Sequence, residues 1–276
     1  MQETTRESPD NQTAPPQQPQ VSITLPAAQP LVTYALSSIL VVVFVIQLGL
    51  AQTYYPDDPV LNWGVLDFYS VLHGDYYRLF TALFLHAGVV HIGFNAYALY
   101  VFGRTIERFF GHTRFALLYF LGGLCASLTS FIFSRGASLG ASGAIMAIFG
   151  AEMVFLYQNR QLFGQERANR QLRALGLNAL LIFGLGVYSN LAPGGVGGLR
   201  IDNWGHLGGF AAGLALSWFI APRFEVRPVP ASGIEPSAYQ LADTNPLIKN
   251  WVIPAGFAVG LVVVFVVALK ALSVYG

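Results

Sequence analysis

The chain has 276 residues, 54% of them hydrophobic and only 11% charged, with a net charge of +1. A water-soluble domain carries roughly 25% charged residues, so a fold that covers its whole surface with solvated side chains is excluded. The balanced charge, without a basic stripe, gives no footprint for a nucleic-acid partner, and the single cysteine, Cys125, excludes an intrachain disulfide.

Residues 1–30 are rich in Gln, Pro, Thr and Ser and show no apolar period, which predicts a disordered tail. The tail lacks the apolar core of a secretory signal, and its three acidic residues argue against a transit peptide. From Leu31 apolar runs alternate with short polar loops. Seven runs approach spanning length, which is roughly 17–25 residues: 31–52, 87–104, 114–134, 141–158, 174–192, 203–221 and 251–273. The expected fold is an all-α polytopic membrane protein with a six-helix core over 31–221 and one C-terminal transmembrane helix in 251–276. Within the core, residues 53–86 mix Tyr, Trp and Phe with polar groups, as a structured segment at a membrane interface would. Residues 222–250 are Pro-rich and read as a cytoplasmic linker.

Placing the N-terminus in the cytoplasm puts eleven Lys and Arg residues inside and four outside (Arg78, Arg135, Arg200 and Lys270). This bias sets the expected orientation: N-terminus in, C-terminus out, in the cell membrane. The outer ends of spans two, four and six then share one side.

Polar side chains recur at those ends. Span two opens HAGVVHIGFNAYALYVFG; His91 and Asn95 lie about 40° apart on one helix face, with His86 at the helix mouth. Span four opens LGASGAIMAIFGAE, with Ser142 between Ala141 and Gly143 and close to Gly140. Span six opens DNWGHLGGFAAG, with His206 beside Gly205, Gly208 and Gly209. Taken singly, a serine in such a helix bonds back to a carbonyl or aids packing, and Asn95 is interhelical glue. Together they suggest more. Span four carries the small residues Gly143, Ala147, Gly150 and Ala151, and span six a Gly205–Gly209–Gly213 ridge. Backbone-to-backbone packing along these ridges would bring a hydroxyl to an imidazole, the arrangement that activates a serine nucleophile. His91, Asn95 and the Ser142 amide are then candidate donors to an oxyanion. Asp202 is read as the cap of span six rather than as a third catalytic member. Glu152 is read as structural, and His73 and His112 as loop residues. His86 and His91 lack a nearby acid or cysteine to complete a zinc site, so no metal or cofactor is expected.

The motifs HxxxN at His91–Asn95, GASG at Gly140–Gly143, GHLGG around His206, and IERFFG with Glu107 and Gly111 make the sequence resemble the rhomboid intramembrane serine proteases over about residues 60–220. The resemblance implies Ser142 as nucleophile, His206 as general base and an oxyanion hole of His91, Asn95 and the Ser142 amide. It implies membrane-protein substrates in the lipid bilayer, cut within or near the extracytoplasmic end of a transmembrane helix. It also implies a partly embedded loop after span one, a lateral gate at span five, and a six-plus-one arrangement. Two positions depart from the family pattern. Tyr77-Arg78 stands where Trp-Arg is usual, and Met146 stands where an aromatic usually stacks on the base, which softens the support for His206. Three competing readings remain: an inactive rhomboid-like protein that binds membrane clients, a polytopic transporter, and a membrane acyltransferase or lipase with a Ser–His site. Substrate and oligomeric state are not legible in the sequence.

Overall fold

Orphan backbone donors at the start of the first helix show how the bundle is closed. The computed structural model describes residues 22–24, 28–195, 200–229 and 238–274, so most of the expected disordered tail lies outside the described residues. Helix α1 (Leu31–Thr53) follows Pro30, which offers no side-chain cap. The cap comes from far along the chain. Glu107, fully buried, accepts from the N–H groups of Val32 and Thr33 at 2.8 and 2.7 Å and from the Thr33 hydroxyl at 2.6 Å. A carboxylate at a helix N-terminus satisfies orphan donors and opposes the positive end of the helix dipole. His112 Nδ1 lies 2.6 Å from the same carboxylate. His112 is thus not a free loop residue but a partner of Glu107, with its side chain 46% exposed.

The second pass is helix α2 (Val89–Ala98), which runs through a π-helical turn at Leu99–Gly103 into α3 (Arg104–Phe133). Gly111, at φ +77°, breaks this long rod into two passes, as the separate runs 87–104 and 114–134 require. Helix α4 (Ser142–Gln158) is buried along nearly its whole length. Helix α5 (Gln165–Leu191) starts nine residues before its apolar run, because Gln, Glu, Arg and Ala in that stretch are good helix formers. Helices α6 (Asn203–Ile220) and α7 (Val252–Leu272) complete the order. Among the described residues four helices are long and apolar enough to cross a bilayer: α1, the α2–α3 rod, α5 and α7. Their exposed faces are apolar, with Val42, Val45, Leu180, Leu191, Val259 and Val267 all above half exposed, as lipid contact demands.

Small residues set the spacing of α3, α4 and α6. A methyl on Gly209 would land on the Gly143 carbonyl, and one on Gly213 on the Ala147 carbonyl. At Gly150 it would meet Phe210 O at 2.6 Å and Leu214 N at 3.0 Å. On the other side of α4, a methyl on Gly122 would collide with Ala147.

Residues 53–86 are structured, as expected. They form short helices at Pro59–Gly64, Phe68–Leu72 and Arg78–Thr81 and a 3₁₀ turn at Ala82–Phe84. Asp58 and Asp67 cap the first two, accepting from Leu61 N–H and Ser70 N–H. Arg78 is buried and ties the loop inward through Asp75 and the carbonyls of Asn62 and Val65. Tyr77 stacks on Trp63 at 4.8 Å, so the departure from Trp-Arg keeps an aromatic contact. Helix α7 packs here too: Phe265 meets Tyr76 and Phe131, and Ala268 is buried with Phe68 and Leu66.

The Pro-rich segment before α7 is more ordered than a plain linker. Strands β1 (Ser22–Thr24), β2 (Phe224–Pro228) and β3 (Ala238–Asp243) form a sheet in the order β1-β3-β2, with β1–β3 parallel and β2–β3 antiparallel. Residues 230–237 lie outside the described residues. The sheet is tied to the bundle by Arg114, which donates to Asp243 Oδ2 at 2.8 Å and to Asn245 O, and by Asn159, which accepts from Phe224 N–H at 2.9 Å.

Glu107→Ala would leave the buried donors of Val32 and Thr33 without an acceptor. It is expected to destabilise the bundle by about 3 kcal/mol or more, read as a lowered melting temperature in detergent. Glu166→Ala, whose side chain is 94% exposed, should leave the melting temperature unchanged.

Candidate active site

Ser142 is the first residue of α4, so its backbone N–H has no intrahelical acceptor. The turn before it is held from the interfacial loop. Leu66 and Ser138 exchange both backbone hydrogen bonds at 3.0 and 2.9 Å, and Gly140 N–H donates to Ala82 O at 2.8 Å. Gly140 has φ +119°, a conformation that favours glycine.

His206 is the fourth residue of α6 and largely buried. Its Nε2 lies 2.8 Å from Ser142 Oγ. For the hydroxyl to donate, Nε2 must be unprotonated, which assigns the proton of the neutral ring to Nδ1. Nδ1 is buried and has no hydrogen-bond partner among the described residues. Asp202 is engaged elsewhere: it caps α6 by accepting from Gly205 N–H at 2.9 Å and accepts from the Ser138 hydroxyl at 2.6 Å. The Ser142–His206 pair thus has no carboxylate bonded to its imidazole among the described residues.

His91 and Asn95 approach the same turn from α2. Ala87 N–H donates to His91 Nδ1 at 3.3 Å, which leaves the neutral ring's proton on Nε2. A methyl on Gly140 would sit 2.8 Å from His91 Cε1, 2.9 Å from Nε2 and 3.8 Å from Asn95 Nδ2. Both side chains therefore reach the backbone that presents Ser142. Asn95 is buried and spends one N–H on His91 O at 3.0 Å, keeping a second. His86 is fully buried, its ring edge-on to His91 at 5.1 Å, with neither ring nitrogen hydrogen-bonded among the described residues. Gly143 lets Ala126 and the Gly205 carbonyl approach α4 beside the serine. Met146 is buried one turn below it.

Two parts of this arrangement escape a reading of motifs. Gln47, the lone polar residue in the apolar part of α1, is buried; it donates to His86 O at 2.9 Å and to Asp58 Oδ2 at 3.0 Å. A buried amide in a lipid-spanning run is itself a signal. The Ser138–Asp202 contact carries no sequence signal. Glu152 finds no arginine: Gln171 donates to its Oε1 at 3.2 Å, and Oε2 has no partner among the described residues.

The model of the Rhomboid domain matches residues 73–223, more than half of the chain, and takes in every residue of this cluster except Gln47, Asp58 and Leu66. The chain belongs to the rhomboid family. It is 34% identical over 156 residues to Rhomboid protease GluP of Bacillus subtilis (strain 168), covering 56% of this chain and 28% of that protein. It is 34% identical over 215 residues to RHOMBOID-like protein 1 of Arabidopsis thaliana, covering 72% of this chain and 51% of the relative. RHOMBOID-like protein 6, mitochondrial, from the same plant is 31% identical over 217 residues, covering 73% and 65%. This rhomboid chain thus spans about half or less of the length of the first two of these relatives. It is an integral, multi-pass membrane protein with the six-helix core and added seventh helix expected of it.

Gly140→Ala in this rhomboid chain combines an unfavourable φ with a collision against the His91 ring. Its melting temperature is expected to drop by the equivalent of about 2–3 kcal/mol. Gly93→Ala, where a methyl meets open space, is the matched control and should show no drop.

Proposed function

We propose that this chain is a serine endopeptidase that cuts transmembrane segments of membrane proteins, with Ser142 as nucleophile and His206 as general base. The observation that carries this reading is the 2.8 Å contact between Ser142 Oγ and His206 Nε2 across two non-consecutive helices. The name of the Bacillus subtilis relative, a rhomboid protease, supports the same reaction class.

As Oγ attacks a scissile carbonyl, its proton passes to His206 Nε2, and the ring returns it to the leaving amine. Charge builds on the carbonyl oxygen. His91 Nε2–H, the second Asn95 N–H and the Ser142 amide, which lie around the Gly140 turn, are the donors assigned to that charge, and Ser142 sits at the positive end of the α4 dipole. One such donor is worth about 3–4 kcal/mol in a water-poor site. Water, deprotonated by His206, then attacks the acyl-enzyme; the C–Oγ bond breaks, the proton returns from the ring to Ser142 Oγ, and the new C-terminus leaves as a carboxylic acid. Because Nδ1 of His206 has no hydrogen-bond partner among the described residues, the imidazolium is held by packing and by the hydroxyl at Nε2 and not by a bonded carboxylate. A substrate helix must unwind for its carbonyl to reach Ser142, so Gly or Pro near the cut favours cleavage. The reading places the dyad at the extracytoplasmic side of the cell membrane, with the arginine-rich opposite end in the cytoplasm.

Co-expression with a single-span reporter tests the chemistry. Ser142→Ala and His206→Ala should each abolish cleavage while the protein still accumulates in the membrane, and Asn95→Ala should slow it by roughly 10²-fold or more. Cleavage retained in either dyad variant would overturn the assignment, and turnover of lipid esters but not of the reporter would make the enzyme a lipase. Orientation is tested separately. A Cys125→Ala, Ala137→Cys double variant should react with a membrane-impermeant thiol reagent added to intact cells, since Ala137 is exposed near the dyad end; labelling only after lysis would invert the topology.

A further inference from the structure

About 20 Å along the second pass from His91, given 1.5 Å per helical residue, a crevice of about 270 Å³ opens at the opposite end of the bundle. It is lined by Tyr100, Val101, Arg104, Thr105 and Arg108. The π-helical turn at Leu99–Gly103 supplies two of these residues, Tyr100 and Val101, and such turns often mark functional sites. Arg104 and Arg108 are one helical turn apart, so two like charges share one face, an arrangement that costs stability when nothing lies between them. Neither guanidinium forms a salt bridge or hydrogen bond with any side chain among the described residues, and Arg104 Nε is buried without a partner. The acid between them in sequence is no counterion: Glu107 points away and is engaged by Val32, Thr33 and His112. The Arg104 guanidinium lies 4.5 Å over the Tyr100 ring, and Tyr34 of α1 packs against Tyr100 at 6.3 Å. Both tyrosines are more than 40% exposed.

We propose that this crevice binds the phosphate group of an anionic phospholipid. Two guanidiniums without a side-chain hydrogen bond or salt bridge among the described residues match a phosphate with two acceptor oxygens. Paired tyrosines at the rim suit the headgroup level of a bilayer. The apolar stripe Val90, Phe94, Tyr97 and Val101 runs along the same rod from this end, is exposed throughout, and offers a surface for acyl chains. A free phosphate ion would use the arginines but not the stripe. The proposal is independent of the dyad's chemistry, since no residue of the crevice belongs to the cluster around Ser142.

Native mass spectrometry of the full chain in a neutral detergent tests it, titrating with phosphatidylglycerol, phosphatidylcholine or inorganic phosphate. Phosphatidylglycerol should bind at least tenfold more tightly than phosphatidylcholine. Each arginine should be worth about fivefold, equivalent to about 1 kcal/mol, so Arg104→Gln with Arg108→Gln should cost tenfold or more. Arg167→Gln with Arg173→Gln, exposed arginines at the same end, should change affinity less than twofold. If the first pair fails to fold, Arg108→Gln alone, on an exposed side chain, should still cost about fivefold. Unchanged affinity in the crevice variants, equal losses in the control pair, or displacement of phosphatidylglycerol by equimolar inorganic phosphate would each overturn the proposal.

Discussion

The contact on which the rest depends is backbone against backbone between α4 and α6. Gly209 and Gly213 give up their side chains to the carbonyls of Gly143 and Ala147, and Gly150 does the same for Phe210. In lipid there is no hydrophobic force to pull helices together, so close van der Waals approach must do so. The same approach sets the height at which a short side chain on one rod meets a long one on the other. Ser142 and His206 lie at the first turns of those helices, where the crossing is held on a third side by Ala126 of α3. A wider crossing would leave the hydroxyl and imidazole too far apart for a 2.8 Å contact.

Around that crossing, rigidity comes from hydrogen bonds that bypass the helices. The interfacial loop grips the Gly140 turn through Ala82 and Leu66. Gln47 holds the backbone of His86, whose ring braces His91. Asp202 joins the cap of α6 to Ser138, four residues before the serine. The carboxylate nearest to the imidazole in sequence is thus a builder of the scaffold, and the Ser142–His206 contact is held without a carboxylate bonded to the ring among the described residues.

Much of this was legible in the sequence because the bilayer penalises exceptions. Seven apolar runs and the polar residues within them pointed to the spans, to Ser142, His206, His91 and Asn95, and to Asp202 as a cap. What was hidden depended on partners remote in the chain. The role of Glu107 is set by Val32 and Thr33, whose backbone carries no sequence mark. His112 read as a loop residue because its partner is that same buried acid. The early start of α5 was masked by its charges, which suit a helix emerging into water as well as a loop. Strands β2 and β3 are short, polar and interrupted by Pro-rich chain, and pairing alone makes them strands.

The small sheet has a consequence for assembly. β1 precedes the first span and pairs in parallel with β3, which follows the sixth, with Ser22 opposite Ala238. A ribosome therefore delivers one edge of this clasp more than two hundred residues before the other, by the register of those two positions. Until then the early edge waits unpaired, and contacts so distant in the chain are slow to form. Once formed, the clasp ties the chain just before the first helix of the core to the chain just after the sixth.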